Sequence, residues 1–333
     1  MNGGLASSGF TYETTGSPVL RTYSTYSSLT WTGSGSFTIL ANPNSLTFDY
    51  MIVAGGGAGG SGDDALGGGG GGGGVRVFTS QSLSIAAHTV TVGAGGSGVW
   101  AANQSGSGGN TTFSSNTTTG GGGGGNYNSG WHNGASGGAG GGGATSRNTA
   151  SAGTVGGSGN AGSYSPVEGV DGGTGYINYP FPSTNNQGAG GGGGGATVGS
   201  NTTLKPASWP NNRHGSAGQT NNYKDGSTIT EPYTGGTTAF SGGGGAPFVQ
   251  NYNFGFGGLY HSGGHLSETG LVEGGEGRCG AGNCGFGSAD TAGAGVANSG
   301  GGGGGRYPAG NVSSRVGGNG GSGVVILRWV TEA

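Results

Sequence analysis

The sequence predicts an all-β, largely irregular protein with essentially no α-helix. We expect a small antiparallel β base formed by both chain ends, joined to a packed bundle of polyglycine II helices that displays loops. Glycine supplies 94 of the 333 residues, against a usual share of about 7%. Hydrophobic residues make up only 30%, well below the roughly 45% of globular chains. Apolar burial alone therefore cannot offset the entropy of ordering this backbone.

The β base is predicted from segments rich in aromatic and β-branched residues near both ends of the chain. We predict N-terminal strands at 36–39, 46–53, 75–78, 83–85 and 89–92. Residues 323–330 are the most apolar segment and indicate a buried strand. Because the N-terminal strands lack enough partners by themselves, we expect this C-terminal strand to pair beside them.

Nearly pure glycine runs punctuate the rest of the chain. They lie at 67–74, 120–125, 140–143, 190–195, 242–245 and 300–305. Their irregular spacing excludes a solenoid of fixed repeat. Flexible linker is the alternative interpretation, but the intervening segments carry many aromatic residues and little charge, unlike a solvating linker. We therefore expect the runs to be ordered.

Ordered glycine runs have a natural packing in the polyglycine II helix. That helix forms no internal hydrogen bonds, so its N–H and C=O groups point outward and need partners when buried. Without side chains, neighbouring runs can approach closely enough to bond to one another. At about 3.1 Å per residue the runs would span roughly 19 to 25 Å. We assign this scaffold role to Gly121, Gly123, Gly141, Gly192, Gly194, Gly243, Gly302 and Gly304.

These features divide the chain into four parts. Residues 1–35 form an N-terminal segment available for attachment, and 36–119 form the β-rich base. Residues 120–322 form the polyglycine II scaffold with its variable loops. Residues 323–333 return to the base as the C-terminal strand.

Several segments resemble the glycine-rich domains found in bacteriophage tail proteins. WTGSGSF at 31–37 and FDYMIVAGGG at 48–57 are similar to the opening of those domains. TVTVGAGG at 89–96 and GGNTTF at 108–113 fit their middle elements, and GGSGVVILR at 320–328 resembles their ending. The resemblance covers nearly the whole chain, from about residue 20 to residue 330.

The alternation of glycine runs and variable intervals also resembles the adhesins at the tips of long tail fibres in T-even-like phages. Those proteins fold as polyglycine sandwiches and present receptor-binding loops. The resemblance implies a phage virion structural protein, located on the tail or a surface appendage and assembled in the host cytoplasm. It implies as partners a host cell-surface receptor, either a protein loop or a glycan, and other virion proteins, with multiple copies per virion. Attachment would fall to the base or to residues 1–35.

The aromatic intervals supply the candidate receptor-binding residues. Tyrosine and tryptophan offer large rigid contact areas with a polar group, and they dominate recognition surfaces. The alternative is that they form small local cores at the scaffold ends or contact other copies of a virion subunit. The candidates are Tyr127, Trp131, His132, Tyr176, Tyr179, Phe181, Trp209, Tyr223, Tyr252, Phe254 and Tyr260.

No pattern in the sequence predicts an enzyme, a cofactor or a metal site. GASGG at 134–138 fits G-x-S-x-G but lacks the strand-to-helix context of a nucleophilic serine. No G-K-S/T follows a glycine loop, so a nucleotide-binding P-loop is not expected. Residues 59–67 match the calcium nonapeptide of β-helices only once, which cannot complete a site. His261 with His265, and Cys279 with Cys284, lack a helical or four-ligand zinc arrangement.

Charge and hydropathy further limit the classes of partner that we expect. The net charge of −3 argues against nucleic acid or an anionic membrane surface as a partner. We expect neither a secretory signal nor a transmembrane span. Two architectural alternatives to the adhesin remain: a capsid decoration or head or tail fibre subunit, and an extracellular filament or coat protein.

Overall fold

The computed structural model describes most of the two chain ends and the glycine runs. The described residues are 9–61, 65–100, 104–127, 133–146, 154–177, 187–188, 192–195, 215–216, 218–226, 239–246, 248–249, 285–286, 292–307 and 316–331. Within these ranges the protein is all-β, with two large antiparallel sheets, several short strand pairs, glycine-rich runs and no helix.

Two five-stranded antiparallel sheets form the base within the described chain. The first contains, in spatial order, β1 (Thr11–Thr15), β4 (Gly35–Ala41), β8 (Ala87–Thr91), β9 (Thr111–Phe113) and β10 (Asn116–Thr118). The second contains β2 (Val19–Tyr23), β3 (Tyr26–Trp31), β19 (Val324–Val330), β5 (Phe48–Val53) and β7 (Val75–Gln81).

The C-terminal strand lies at the centre of the second sheet, as the sequence predicts. Leu327 of β19 is in register with Leu29 of β3 on one side and with Tyr50 of β5 on the other. Val325 and Leu327 face the space between the sheets, while Val324 and Ile326 face the opposite side, which is also covered. Burial on both faces explains why this strand is apolar at every position except Arg328.

Aromatic side chains fill the space between the two sheets. Trp329 meets Phe10, Tyr12 and Phe48 in edge-on contacts with ring centroids 5.3 to 6.2 Å apart. Edge-on geometry suits the ring quadrupoles and adds to the gain from burial. The core is therefore built from the N-terminal segment as well as from the strands that follow it.

Two boundaries of the base differ from the sequence prediction. β1, β2 and β3 belong to the sheets, so the base begins at Thr11 instead of at residue 36. Their threonine and serine content, and the exposure of β2 at the sheet edge, hide them from a search for apolar strands. Residues 83–85 are not a strand, because the chain crosses there from β7 in the second sheet to β8 in the first.

The glycine runs are packed as polyglycine II helices, and the hydrogen-bond register shows it. In the run 54–60, successive backbone N–H groups point to three different neighbouring segments, and each neighbour returns every third residue. This threefold rotation is the geometry of polyglycine II. The donor and acceptor pairs are Ala54 with Gly74, Gly57 with Gly71, Gly60 with Gly68, Gly55 with Gly109, Ala58 with Gly106, Gly56 with Gly321 and Gly59 with Gly318.

Three further segments donate to the carbonyl groups of the same run. Gly121 and Gly124 donate to Gly55 and Ala58, Gly303 donates to Gly57, and Gly96 donates to Gly56. The run is therefore surrounded by six chain segments in a hexagonal array. Run 67–74 likewise bonds to 54–60, 119–125, 139–142, 193, 244 and 300–306.

Apart from Gly300, which opens the run 300–305 with a left-handed φ, glycine is required in these runs for space and not for backbone conformation. Among the described glycines, the left-handed φ occurs at Gly9, Gly16, Gly226 and Gly300. A Cβ built on Gly192 or Gly302 would instead lie within 3.0 Å of the Gly70 carbonyl, a separation that real Cβ atoms essentially never show. The runs approach one another closely because they carry no side chains.

The scaffold is larger than the predicted range 120–322. The runs 54–61, 67–74, 93–98 and 105–109 belong to the same array, and 54–61 lies at its centre. The eight scaffold glycines chosen from the sequence all take part in it. Gly192, for example, donates to Gly244, and Gly243 donates to Ser216.

Replacing Gly192 by valine should prevent soluble folding, because the new side chain would overlap the Gly70 carbonyl. We expect a loss of about 5 kcal/mol or more, comparable to the whole stability of many domains. Soluble yield and thermal denaturation measure the effect. Ala94→Val is the matched control: Ala94 is exposed on run 93–98, so its change should stay within about 0.5 kcal/mol. Equal melting temperatures for the two variants would contradict the close packing.

Candidate functional site

The two ends of the scaffold differ in what they join. At one end, the runs continue into the base: run 54–61 follows β5, and run 67–74 precedes β7. We call the opposite end, formed by Gly60, Ser61, Gly67, Tyr127 and Arg306, the distal end. There Tyr127 donates to the Ser61 carbonyl at 2.9 Å and Arg306 donates to Gly60 at 2.9 Å.

Short strand pairs form a rim at the distal end. They are β6 (Ala65–Leu66) with β11 (Thr145–Ser146), β17 (Gly285–Phe286) with β18 (Arg306–Tyr307), and β12 (Tyr176–Ile177) with β13 (Gln187–Gly188) and β16 (Phe248–Val249). β6 also contacts β18, and β11 contacts β12 and β13. The three small sheets therefore lie side by side. A further pair, β14 (Gln219–Thr220) with β15 (Ala239–Phe240), lies beside the base instead.

Many of the variable intervals begin and end at the distal end. The described residues that flank 62–64, 101–103, 128–132, 147–153, 178–186, 250–284 and 308–315 all belong to the rim or to the distal turns of the runs. These intervals come from the whole length of the chain. The scaffold brings their starting points together at one end, opposite the base.

Most of the candidate receptor-binding residues fall in these intervals. Trp131, His132, Tyr179, Phe181, Tyr252, Phe254 and Tyr260 lie outside the described residues, between flanks at the distal end. Trp209 also lies outside the described residues, in 196–214. Tyr176 lies in rim strand β12. Tyr127 is partly buried at the last described position before 128–132.

Asn126 fixes the point where the interval 128–132 begins. Its side chain is 1% exposed. Its Oδ1 accepts hydrogen bonds from the Ser61 N–H at 2.7 Å and the Ser105 hydroxyl at 3.2 Å, and its Nδ2 donates to the Val99 carbonyl at 3.2 Å. An asparagine directly after a glycine run is the sequence signal for this anchor, and the sequence prediction missed it.

Tyr223 is part of a core and not of an exposed loop. It is 7% exposed and packs with Phe240 against the outer face of β19. The Arg328 guanidinium carbon lies 3.8 Å from the centroid of its ring and 4.3 Å from that of Tyr26. Burial raises the pKa of the Tyr223 phenol. Tyr223 therefore belongs to a local core, which was the alternative role for the aromatic residues. We no longer include it among the candidate receptor-binding residues.

The segment 221–226 is held on the base by further polar contacts. The Tyr23 hydroxyl donates to the Tyr223 carbonyl at 2.6 Å, and the Ser28 hydroxyl donates to the Lys224 carbonyl at 2.7 Å. Arg328 also pairs with Asp49 at 3.0 Å. The single arginine within the apolar strand β19 was the sequence signal for this attachment.

Of the chemical motifs discounted from the sequence, the described structure includes the G-x-S-x-G match. Ser136 of the G-x-S-x-G match lies in a glycine run, where its hydroxyl accepts a hydrogen bond from the Ser158 N–H at 3.2 Å. The described residues contain no group of three His, Cys, Asp or Glu placed to hold a metal ion. Asp64 of the calcium match, His261, His265, Cys279 and Cys284 lie outside the described residues. No described helix could cross a membrane.

Comparison with known families assigns the fold to one of them. A family model described as a glycine-rich domain matches residues 31–330. The chain belongs to this glycine-rich domain family. The matched range runs from the last residue of β3 to the last residue of β19, so it includes the other strands of the base and all of the scaffold but not β1 or β2. A search of curated proteins finds no match.

Two tyrosines of the glycine-rich domain should respond differently to removal. Tyr223→Ala removes a buried ring and should cost about 3 kcal/mol. Tyr127→Ala, at the partly exposed distal position, should cost less than about 1 kcal/mol. Chemical denaturation of both variants measures the difference. Equal costs would contradict the placement of these residues in a core and at the distal end.

Proposed function

We propose that this glycine-rich domain is a structural protein of a phage virion, acting as a tail-associated adhesin that presents loops to a receptor on the host surface. The observation that carries the proposal is the gathering of interval flanks at the distal end. Seven intervals drawn from along the chain have their flanks at one end of the glycine array, and the β base occupies the other end. A receptor-binding protein needs this separation between the part that attaches and the part that recognises.

The scaffold supports loops whose sequence can change. Among the described residues, the hydrogen bonds that hold run 54–60 join backbone to backbone, and every N–H group of the run has its partner in another glycine-rich segment. Intervals as different as 62–64 and 250–284 therefore leave the same array intact. Changing host receptors demand such tolerance of an adhesin.

The residues of the distal intervals suit recognition of a surface receptor. Trp131, Tyr179, Phe181, Tyr252 and Tyr260 supply aromatic faces for stacking, and asparagine and serine in the same intervals supply hydrogen-bonding groups. A protein loop and a glycan both offer partners for this chemistry. Many copies on one virion would raise the overall affinity beyond that of one domain.

The base supports attachment to the virion. Large apolar side chains are exposed on it at Val19, Leu20, Leu40, Ile85 and Val330, between 44% and 64%. Such residues suit a contact with another virion protein. Attachment there would leave the distal end pointing away from the particle.

Purified protein should bind intact host cells and block phage adsorption. The double variant Trp131→Ala with His132→Ala should reduce cell binding by about thirtyfold, the effect of losing one strong contact. Its melting temperature should not change, because both residues lie outside the glycine runs in the sequence. Ile85→Ala, on the base, is the control and should bind cells like the natural sequence.

Other outcomes identify the architectural alternatives. Full incorporation into particles without any cell binding would contradict the adhesin and favour capsid decoration or a fibre subunit. Assembly of the purified protein into fibres would favour an extracellular filament or coat. Immunolabelling of virions distinguishes tail from capsid in the same preparation.

A further inference from the structure

The outermost glycine runs carry side chains at every third residue. Three of them share a pairing of asparagine and serine three residues apart: Ser107 with Asn110, Asn133 with Ser136, and Asn319 with Ser322. The threefold helix places residues i and i+3 on the same side. Each pair therefore forms a row on one side of its run, and five of the six residues are exposed, with Ser322 half-buried.

These side chains accept hydrogen bonds from backbone N–H groups of the adjacent run. Asn110 Oδ1 accepts from Gly120 at 2.9 Å, and Ser107 Oγ accepts from Gly123 at 3.3 Å. The other two pairs do the same. Asn133 accepts from Val155 at 2.9 Å, Ser136 from Ser158 at 3.2 Å, Asn319 from Gly98 at 2.9 Å and Ser322 from Asn298 at 2.9 Å.

The neighbours of run 120–125 show that Ser107 and Asn110 take the place of a missing neighbouring segment. Among the described residues, the run's other hydrogen bonds lead to five segments, namely 55–58, 68–71, 105–108, 135–138 and 139–142. An interior run such as 54–60 has six neighbours. The sixth direction from run 120–125 is the one toward which Gly120 and Gly123 donate, and Ser107 and Asn110 occupy it.

We propose that the Asn–Ser pairs end the hexagonal array, and that Ser107 and Asn110 close a latent self-association surface beside run 120–125. If these two side chains are removed, the sixth position has room for a backbone segment without side chains. Carbonyl groups at every third residue of that segment would accept the hydrogen bonds of Gly120 and Gly123. In a second copy of this chain, the surface run 105–110 becomes such a segment once the same two side chains are removed. Each copy then supplies both the vacancy and the run that fills it, as a twofold symmetric dimer requires.

The double variant S107G/N110G tests the proposal by analytical ultracentrifugation. We expect a species of twice the mass of the natural protein, and its fraction should fall on dilution. Ala94→Gly is the matched control, since it removes an exposed side chain from the neighbouring run 93–98. That variant should keep the natural mass.

A second variant distinguishes two effects of the glycine substitutions: the loss of the hydrogen-bond acceptors of Ser107 and Asn110, and the space made free beside run 120–125. S107A/N110A removes the acceptor atoms but keeps a methyl group at each site. It should melt at a lower temperature and keep the natural mass. N133G/S136G repeats the glycine test at an independent edge.

The same measurements can overturn the proposal. Natural mass for S107G/N110G at every concentration would contradict a closed association surface beside run 120–125. Equal association of S107A/N110A would show that the side chains do not exclude a second copy. Failure of both glycine variants to fold would show that the pairs are needed for the fold itself and do not merely end the array.

Discussion

The structure depends on hydrogen bonds between the backbones of glycine runs that lie far apart in the chain. Each bond contributes only about 1 kcal/mol net, and each glycine loses more conformational freedom on folding than any other residue. The array is stable only if many such bonds form together. The central run 54–60 meets this condition because six segments surround it and every one of its N–H groups has a carbonyl partner.

The β base gives the glycine array its fixed starting point. β5, β7 and β19 lead directly into or out of the runs 54–61, 67–74 and 316–323. Their side chains form an ordinary apolar core, which sets the spacing and direction of the backbones that leave it. Side-chain packing stabilises the base, and backbone hydrogen bonds stabilise the glycine array. Many of the variable intervals begin at the distal end of that array.

Much of this arrangement can be predicted from the sequence, because the strongest signals are local. The apolar segment 323–330 predicts β19, and the pure glycine runs predict the array. Positions that depend on tertiary context were missed. β2 is polar and lies at an edge, runs such as 105–110 mix glycine with serine and asparagine, and the packing of Tyr223 depends on Arg328, more than a hundred residues away. The threefold spacing of Ser107 and Asn110 was present in the sequence but gains its meaning only beside run 120–125.

Residue-resolved amide hydrogen exchange tests the packed glycine runs most directly. The N–H groups of Gly55 to Gly60 and Gly70 to Gly73 are bonded inside the array. They should exchange as slowly as those of Ile326 and Leu327 in the central strand. Exchange at all of these positions should require unfolding of the whole protein. Exchange of these glycines at the rate of an unstructured chain, while the strand stays protected, would contradict the account.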